Sequence, residues 1–329
     1  MAVIVKSIMA IVLFAFRYSI FYNVFYSKNE DYIMLTNQQK RDVENLLKNT
    51  AEKCIKPFFK NLNDSDISFK TSKLDPVSIA DKQAESLLHT GLLSILPKSF
   101  FIGEELFADR PEILNFLNQK DKPVWIVDPI DGTDNFISGQ AGFGIMVCLF
   151  FSGEIVASLF YEICSNQLTT YYKGSQITIN GKSAITKTRI TRPFIGHIGK
   201  KLYRFPEIQN IKKITGDINI SSADSPSIIT YHQLLTGKID FLIFKVTYPW
   251  DHLPGIAIVT QNGAISTRWD GSPFQFSDIS TGLVVARNKE ILDTVLEKII
   301  TPLSQSQAIL EMNSFKTANS IALHYLQKY

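Results

Sequence analysis

Cysteine is scarce in this chain: three among 329 residues (Cys54, Cys148, Cys164), widely spaced and without a CxxC pair. That pattern excludes a disulfide scaffold and a thiolate zinc site. It predicts small core residues in a reducing, cytoplasmic compartment. Histidine is nearly as rare, and the five (His89, His197, His232, His252, His324) do not cluster in sequence; His252 adjoins Asp251 and reads as a helix-surface residue. Neither sign of charge dominates, with 34 Lys+Arg against 31 Asp+Glu and a formal net charge of +3. So small an excess does not argue for a nucleic-acid polymer as partner. Internal repeats and low-complexity tracts are absent, and 45% hydrophobic residues with 20% charged ones exclude a disordered chain. An uninterrupted apolar run of about 20 residues, the length a spanning helix needs, is also missing. The nearest approach is Ser7–Phe16 within Val3–Phe25, preceded by Lys6, cut by Arg17 and followed by no small-x-small cleavage site. The sequence therefore favours residues 1–33 as a hydrophobic N-terminal extension ahead of Met34, over a membrane-associated anchor at residues 3–25 or a cleaved signal.

What is present reads as alternating α and β elements. Thr36 followed by Gln39 has the spacing of a capping box. It opens a stripe of Val43, Leu46, Leu47, Ala51, Cys54, Ile55 and Phe58 with helical period. A second helix is predicted from near Ser78, carrying Ala84, Leu87, Leu88 and Leu92 until Pro97. Short strands follow at Phe100–Ile102 and Val124–Val127, then a meander of Ile145–Phe151, Ile155–Ile163 and Leu168–Tyr172 with a tight turn at Ser152-Gly153. Residues 186–213 are basic and irregular and read as a join. Beyond them the pattern predicts helices at Ile228–Leu235, Leu253–Thr260 and Lys289–Ile300, and strands at Ile239–Phe244, Ala264–Thr267 and Gly282–Ala286. The last stretch, Thr301–Tyr329, has weak helical spacing and no legible chemistry.

The chemistry lies in carboxylates placed at strand ends. Glu104 and Glu105 follow a short apolar strand, and Trp125-Ile126-Val127 runs into Asp128-Pro129-Ile130-Asp131-Gly132-Thr133-Asp134. Pro129 lacks a backbone donor and Gly132 permits a turn, so the strand is expected to break there. Pro249-Trp250-Asp251 then sets a further carboxylate at the start of a predicted helix. Converging carboxylates repel one another unless a cation lies between them. Oxygen ligands without Cys or clustered His point to Mg²⁺ rather than zinc. The Asp-x-Asp-Gly-Thr motif of aspartyl-phosphate hydrolases does not fit, because Pro129 stands where that chemistry needs its first carboxylate.

These motifs, in this order, resemble the inositol monophosphatase family of Mg²⁺-dependent, lithium-sensitive phosphatases. The resemblance runs from about Met34 to Ile300 and includes Lys70, Asp75, Ser78-Ile79-Ala80-Asp81, Gly103-Glu104-Glu105, Asp128–Asp134, Asn180-Gly181-Lys182 and Trp250-Asp251. It implies an α/β fold, with an α+β N-terminal part and an α/β C-terminal part in a layered αβαβα sandwich. It also implies hydrolysis of a small phosphate monoester, an inositol phosphate or related sugar phosphate, with two to three Mg²⁺ ions. Glu104, Asp128 and the Ile130 carbonyl would hold one ion, and Asp128, Asp131 and Asp251 a second. Glu105 would stand behind them or assist a third. Asp81 and Thr133 would orient the attacking water on the ion held by Glu104, and backbone N–H groups at Gly132 and Thr133 would receive the phosphate. Relatives of this kind commonly pair, so a homodimer is implied as well.

The departures from the family fall on the substrate side. Counting back from Trp250-Asp251, Phe244 stands where inositol-type members use a Glu, and Ser225-Pro226-Ser227 replaces a Gly-Ser/Thr-Ala turn. Nucleotide 3′-phosphates are therefore an alternative substrate class, and a non-catalytic protein binding a phosphorylated ligand is the alternative to an enzyme. The expected organisation is an N-terminal α+β subdomain at 34–185 bearing most of the metal site, a C-terminal α/β subdomain at 186–300 that adds Asp251, and an extension at 301–329.

Overall fold

The computed structural model describes residues 35–69, 76–184, 190–199, 216–221, 225–276 and 281–304, with positions 202, 208, 278 and 279 between them. The N-terminal extension, Lys70, Asp75, the basic stretches 200–201, 203–204 and 212–213, and residues 305–329 lie outside the described residues.

Helix α1 (Asn37–Thr50) starts where the spacing predicts. Thr36 Oγ1 accepts from Gln39 N–H at 3.2 Å, and Gln39 Oε1 returns the bond to Thr36 N–H at 2.9 Å. Two of the orphan donors at the helix start are thereby satisfied. Thr36→Ala is expected to lower stability by about 1 kcal/mol, about 2 °C in the melting midpoint for a domain of this size, without touching activity. Thermal melts followed by circular dichroism check this. Helical winding continues through wider and tighter turns to Phe58. A two-stranded antiparallel ribbon, β1 (Ile67–Phe69) with β2 (Pro76–Ser78), leads into α2 (Ile79–Ile95).

The main sheet has seven strands in the order β3 (Phe100–Gly103), β4 (Val124–Asp131), β5 (Gly144–Phe151), β6 (Glu154–Glu162), β7 (Gln167–Tyr172), β8 (Thr178–Ile179) and β9 (Lys182–Ser183). Only β3 and β4 run parallel; the rest is a meander. A short helix α3 (Glu104–Asp109) follows β3, and α4 (Thr133–Ile137) follows β4. Ser152 and Gly153 both have positive φ (50° and 84°), as a tight turn between twisted strands requires.

A second sheet of five strands has the order β11–β10–β12–β14–β13. Its members are β10 (Phe194–Ile198), β11 (Ile218–Ser221), β12 (Phe241–Phe244), β13 (Ile265–Thr267) and β14 (Leu283–Ala286). Helices α5 (Ser227–Leu235) and α6 (Pro249–Gln261) come between these strands, and α7 (Lys289–Val295) follows them with its winding continued to Ser304.

Three apolar clusters fix the layering. Val43, Leu47, Leu88 and Leu92 of α1 and α2 pack on Trp125, Val127, Val147 and Leu159, one face of the seven-stranded sheet. Ile126, Met146 and Phe160 on its opposite face meet Tyr231, Leu234, Leu253 and Ile258 of α5 and α6, together with Leu242 and Val285 of the second sheet. Phe241, Ile243 and Val284, on the far face of that sheet, pack on Ile291, Val295 and Ile299. The order of layers is helix, sheet, helix, sheet, helix, each apolar face finding a partner.

Several expectations need correction. Strand β4 does not end at Pro129 but runs to Asp131, and the missing donor is absorbed by a register shift against β5 between Asp128 and Asp131. The region read as an irregular join contains β10, an interior strand of the second sheet. Helix α6 begins at Pro249, four residues before the predicted start, so Asp251 lies inside its first turn. Cys54 and Cys148 are buried as expected, but Cys164 is exposed.

Candidate metal and phosphate site

Parallel pairing of β3 with β4 sets Gly103 beside Val127, so the next residues on each chain, Glu104 and Asp128, emerge side by side at the ends of neighbouring strands. Asp251 comes to the same place from the first turn of α6. One carboxylate oxygen from each of Glu104, Asp128 and Asp251 lies within 4.8 Å of the other two. These three line a cleft of about 680 Å³, whose wall also includes Ile130, Asp131, Gly132 and Thr133. The volume suits a small-molecule ligand.

The loop that carries this chemistry is locally determined. Pro129 cannot donate, and Ile130 N–H turns back to Asp128 Oδ1 at 3.0 Å. Gly132 adopts φ +92°, a left-handed conformation that costs other residues free energy. A Cβ there would lie 2.7 Å from Pro226 Cγ and 2.9 Å from the Gly142 carbonyl oxygen. The turn thus reverses the chain so that Thr133 Oγ1 reaches the Ile130 carbonyl at 3.0 Å and Asp81 Oδ1 at 3.3 Å.

Asp81 is 1% exposed and does not itself line the cleft. Its Oδ2 accepts from Ser78 N–H at 2.8 Å and from Ser78 Oγ at 2.5 Å, while Ser78 Oγ accepts from Asp81 N–H at 3.4 Å. This is the capping box of α2. One oxygen of Asp81 is committed to the helix start and the other is left for Thr133.

Asp131 occupies a different environment from the trio. It is buried, and its two oxygens accept from Ser227 N–H at 3.3 Å and Ile228 N–H at 2.6 Å, the first turn of α5. Pro226 at that N-cap offers no side-chain acceptor, and Asp131 takes over the capping from 96 residues away. Burial pushes its carboxyl up to about 7; the two N–H donors oppose that rise, and the nearby Glu104 charge adds to it. Glu105 does not line the cleft; its backbone N–H and that of Leu106 both donate at 2.8 Å to the buried Glu85 carboxylate, which fixes the start of α3.

His252 is not on a helix surface, as its position in the sequence suggested. It is 2% exposed, and its ring lies 3.2 Å from Tyr231 Oη and 3.2 Å from the Val246 carbonyl. A carbonyl can only accept, so Nε2 carries the proton and Nδ1 accepts from the tyrosine hydroxyl. Burial lowers its pKa to about 3 and keeps the ring neutral. Sequence reasoning did not single out Ser78 as the anchor of Asp81, nor Glu85, Tyr231 or Lys245. The Ser-x-x-Asp spacing could have revealed the first; the others carry no local signal.

A sequence model described as the inositol monophosphatase family matches residues 37–306. The chain belongs to this family. Among relatives, it is 26% identical over 242 residues to the inositol-1-monophosphatase of Bacillus subtilis strain 168, covering 71% of this chain and 87% of that one. In fold it is similar to the Thermotoga maritima IMPase, with a TM-score of 0.67, 20% identity and coverage of 82% and 99% of the two chains. It is also similar to an IMPase/NADP phosphatase solved with Mg²⁺ and phosphate, with a TM-score of 0.65, 17% identity and coverage of 80% and 95%.

Proposed function

We propose that this chain is a divalent-metal-dependent phosphatase that hydrolyses a small phosphate monoester. The observation that carries the reading is the approach of Glu104, Asp128 and Asp251 to within 4.8 Å beside the Thr133–Asp81 pair. The donor set fits Mg²⁺. It is made of carboxylate oxygens from three separate elements, with Asp131 pushed up to about 7 by burial and by a neighbouring anion. Like charges this close destabilise one another, and a hard cation relieves that cost.

Glu104, Asp128 and the Ile130 carbonyl would hold one ion, and Asp128, Asp131 and Asp251 a second, all of them lining the cleft. When bound, such ions neutralise the phosphate dianion, acidify water and stabilise the departing alkoxide. The chain's own residues supply position. Both partners of Thr133 Oγ1, Asp81 Oδ1 and the Ile130 carbonyl, are acceptors, so its proton is committed to them. Its lone pairs are then available to accept from a water and hold that water in one orientation. Gly132 and Thr133 both line the cleft, and their backbone N–H groups would receive the phosphate. The fixed geometry of Asp81, held by Ser78, keeps Thr133 from rotating away.

The family relatives named for inositol-1-phosphate hydrolysis and the neighbour solved with Mg²⁺ and phosphate support this assignment. The test is phosphate release from inositol 1-phosphate, sugar phosphates and nucleotide 3′-phosphates in Mg²⁺, with and without Li⁺, and again in EDTA. Turnover that needs Mg²⁺ and is lost in EDTA is expected. Unchanged turnover in EDTA would overturn the reading, and binding of these esters without any release would favour a non-catalytic binder.

A further inference from the structure

Two of the carboxylates assigned to one ion belong to different layers of the fold. Asp131 ends β4 of the seven-stranded sheet, and Asp251 stands in the first turn of α6. Helix α5 is bonded to Asp131 at its start and to α6 one turn later. Its first turn donates Ser227 N–H and Ile228 N–H to the Asp131 carboxylate. Further along, Tyr231 Oη lies 3.2 Å from Nδ1 of His252, the residue next to Asp251.

The tyrosine is held where it can do this. It is fully buried, and a Cβ added at Gly255 of α6 would come within 2.2 Å of its ring. Gly255 lies one turn after Asp251 on the same side of that helix. The ring is thus packed on the α6 backbone, and its hydroxyl is delivered to the first turn.

His252 commits its other nitrogen to the Val246 carbonyl at 3.2 Å, in the segment that joins β12 to α6. With Nδ1 accepting and Nε2 donating, the ring has no nitrogen left to exchange a proton with a substrate, although it lines the cleft. What it does is tie three pieces of chain together at the start of α6. Tyr248 at the N-cap of that helix is not a capping residue type, so a tie from elsewhere matters there.

We propose that Tyr231 and His252 form a positioning pair for Asp251. Through α5 they fix its spacing from Asp131, and with it the affinity of the ion the two carboxylates would share. The inference rests on the metal-dependent reading above and deepens it. Spacing matters because Mg²⁺ takes its oxygens at about 2.0–2.1 Å with little tolerance. Groups that orient a ligand from behind typically change metal affinity or activity by about 10–100-fold.

The test measures the Mg²⁺ concentration for half-maximal phosphate release, with Mg²⁺ calorimetry and a thermal melt alongside. Tyr231→Phe keeps the ring on Gly255 and removes one oxygen. It is expected to raise half-saturating Mg²⁺ by about tenfold, with the rate returning to within about threefold of wild type at saturation. His252→Leu should weaken Mg²⁺ at least as much. His252→Gln carries one acceptor and one donor on a single carbon, as the ring does, and should stay within about threefold of wild type. Adding Tyr231→Phe to His252→Leu should weaken Mg²⁺ no further, because the two act together.

A packing role alone predicts a lower melting midpoint with half-saturating Mg²⁺ unchanged. That result in folded Tyr231→Phe overturns the proposal and leaves the hydrolytic reading standing. A tenfold shift seen by calorimetry in a chain without turnover keeps the positioning pair and removes the hydrolytic reading. No Mg²⁺ binding by wild type removes both. One check needs no variant to fold: the ¹⁵N spectrum of wild type should show His252 protonated at Nε2 and bare at Nδ1. The opposite tautomer breaks the chain of bonds and overturns the proposal.

Discussion

Asp128→Asn is expected to lower Mg²⁺-dependent phosphate release by about a thousandfold or more while leaving the fold intact. Asp128 is the one member of the carboxylate trio supplied by a strand, and it is buried at the centre of the site. Removing its charge withdraws several kcal/mol of support for a cation, and each 1.4 kcal/mol is about tenfold in rate. Stability should change little. Asparagine keeps an Oδ1 acceptor for the Ile130 N–H that shapes the turn, and losing one of several neighbouring anions is not in itself destabilising. The measurement is a phosphate-release assay paired with a thermal melt. A folded variant with more than about a tenth of wild-type turnover would contradict the assignment.

Gly132→Ala should damage stability and catalysis together. An Ala at φ +92° is strained by about 1–2 kcal/mol, and its Cβ would press on the Gly142 carbonyl and on Pro226. A total loss of about 2–3 kcal/mol is expected. Relief requires moving the turn that holds Asp131 on one side and Thr133 on the other, and displacement of about 1 Å at reacting groups can cost a hundredfold in rate. Gly181→Ala is the matched control. It has φ +76° but nothing within 4 Å of the added methyl group, so it should lose about 1 kcal/mol and no activity. Equal behaviour of the two variants would show that backbone strain alone, rather than the place of the turn, sets the effect.

Much of this arrangement was legible in the sequence because its causes are local. The capping box at Thr36, the stripe that continues to Phe58, the turn at Ser152-Gly153 and the Asp128–Thr133 segment all depend on residues within a few positions of one another. What escaped depends on distant partners. Strand β10 carries His197 and an accessible Ile195, and nothing nearby announces that it lies between β11 and β12. Helix α6 sits between two sheets and is buried over almost its whole length from Trp250 to Val259. Its sequence has no polar face to set a period, so its start was placed too late and His252 was assigned to a surface. Pro249 at the first helical position was a usable signal for the true start. Pro129 was read through a general rule for strands, whereas the register shift in β4 accommodates it. The convergence of Glu104, Asp128 and Asp251 follows from motifs that the sequence displays, but the capping of α5 by Asp131 and the burial of Lys245 follow only from the packing of the layers.

The central claim is that these carboxylates share a divalent cation. Calorimetric titration of Mg²⁺ into the metal-stripped chain tests it without reference to any substrate. Saturable binding that is lost in Asp128→Asn and in Asp251→Asn is the predicted result; no binding by the wild-type chain, or binding unchanged in both variants, would contradict the account.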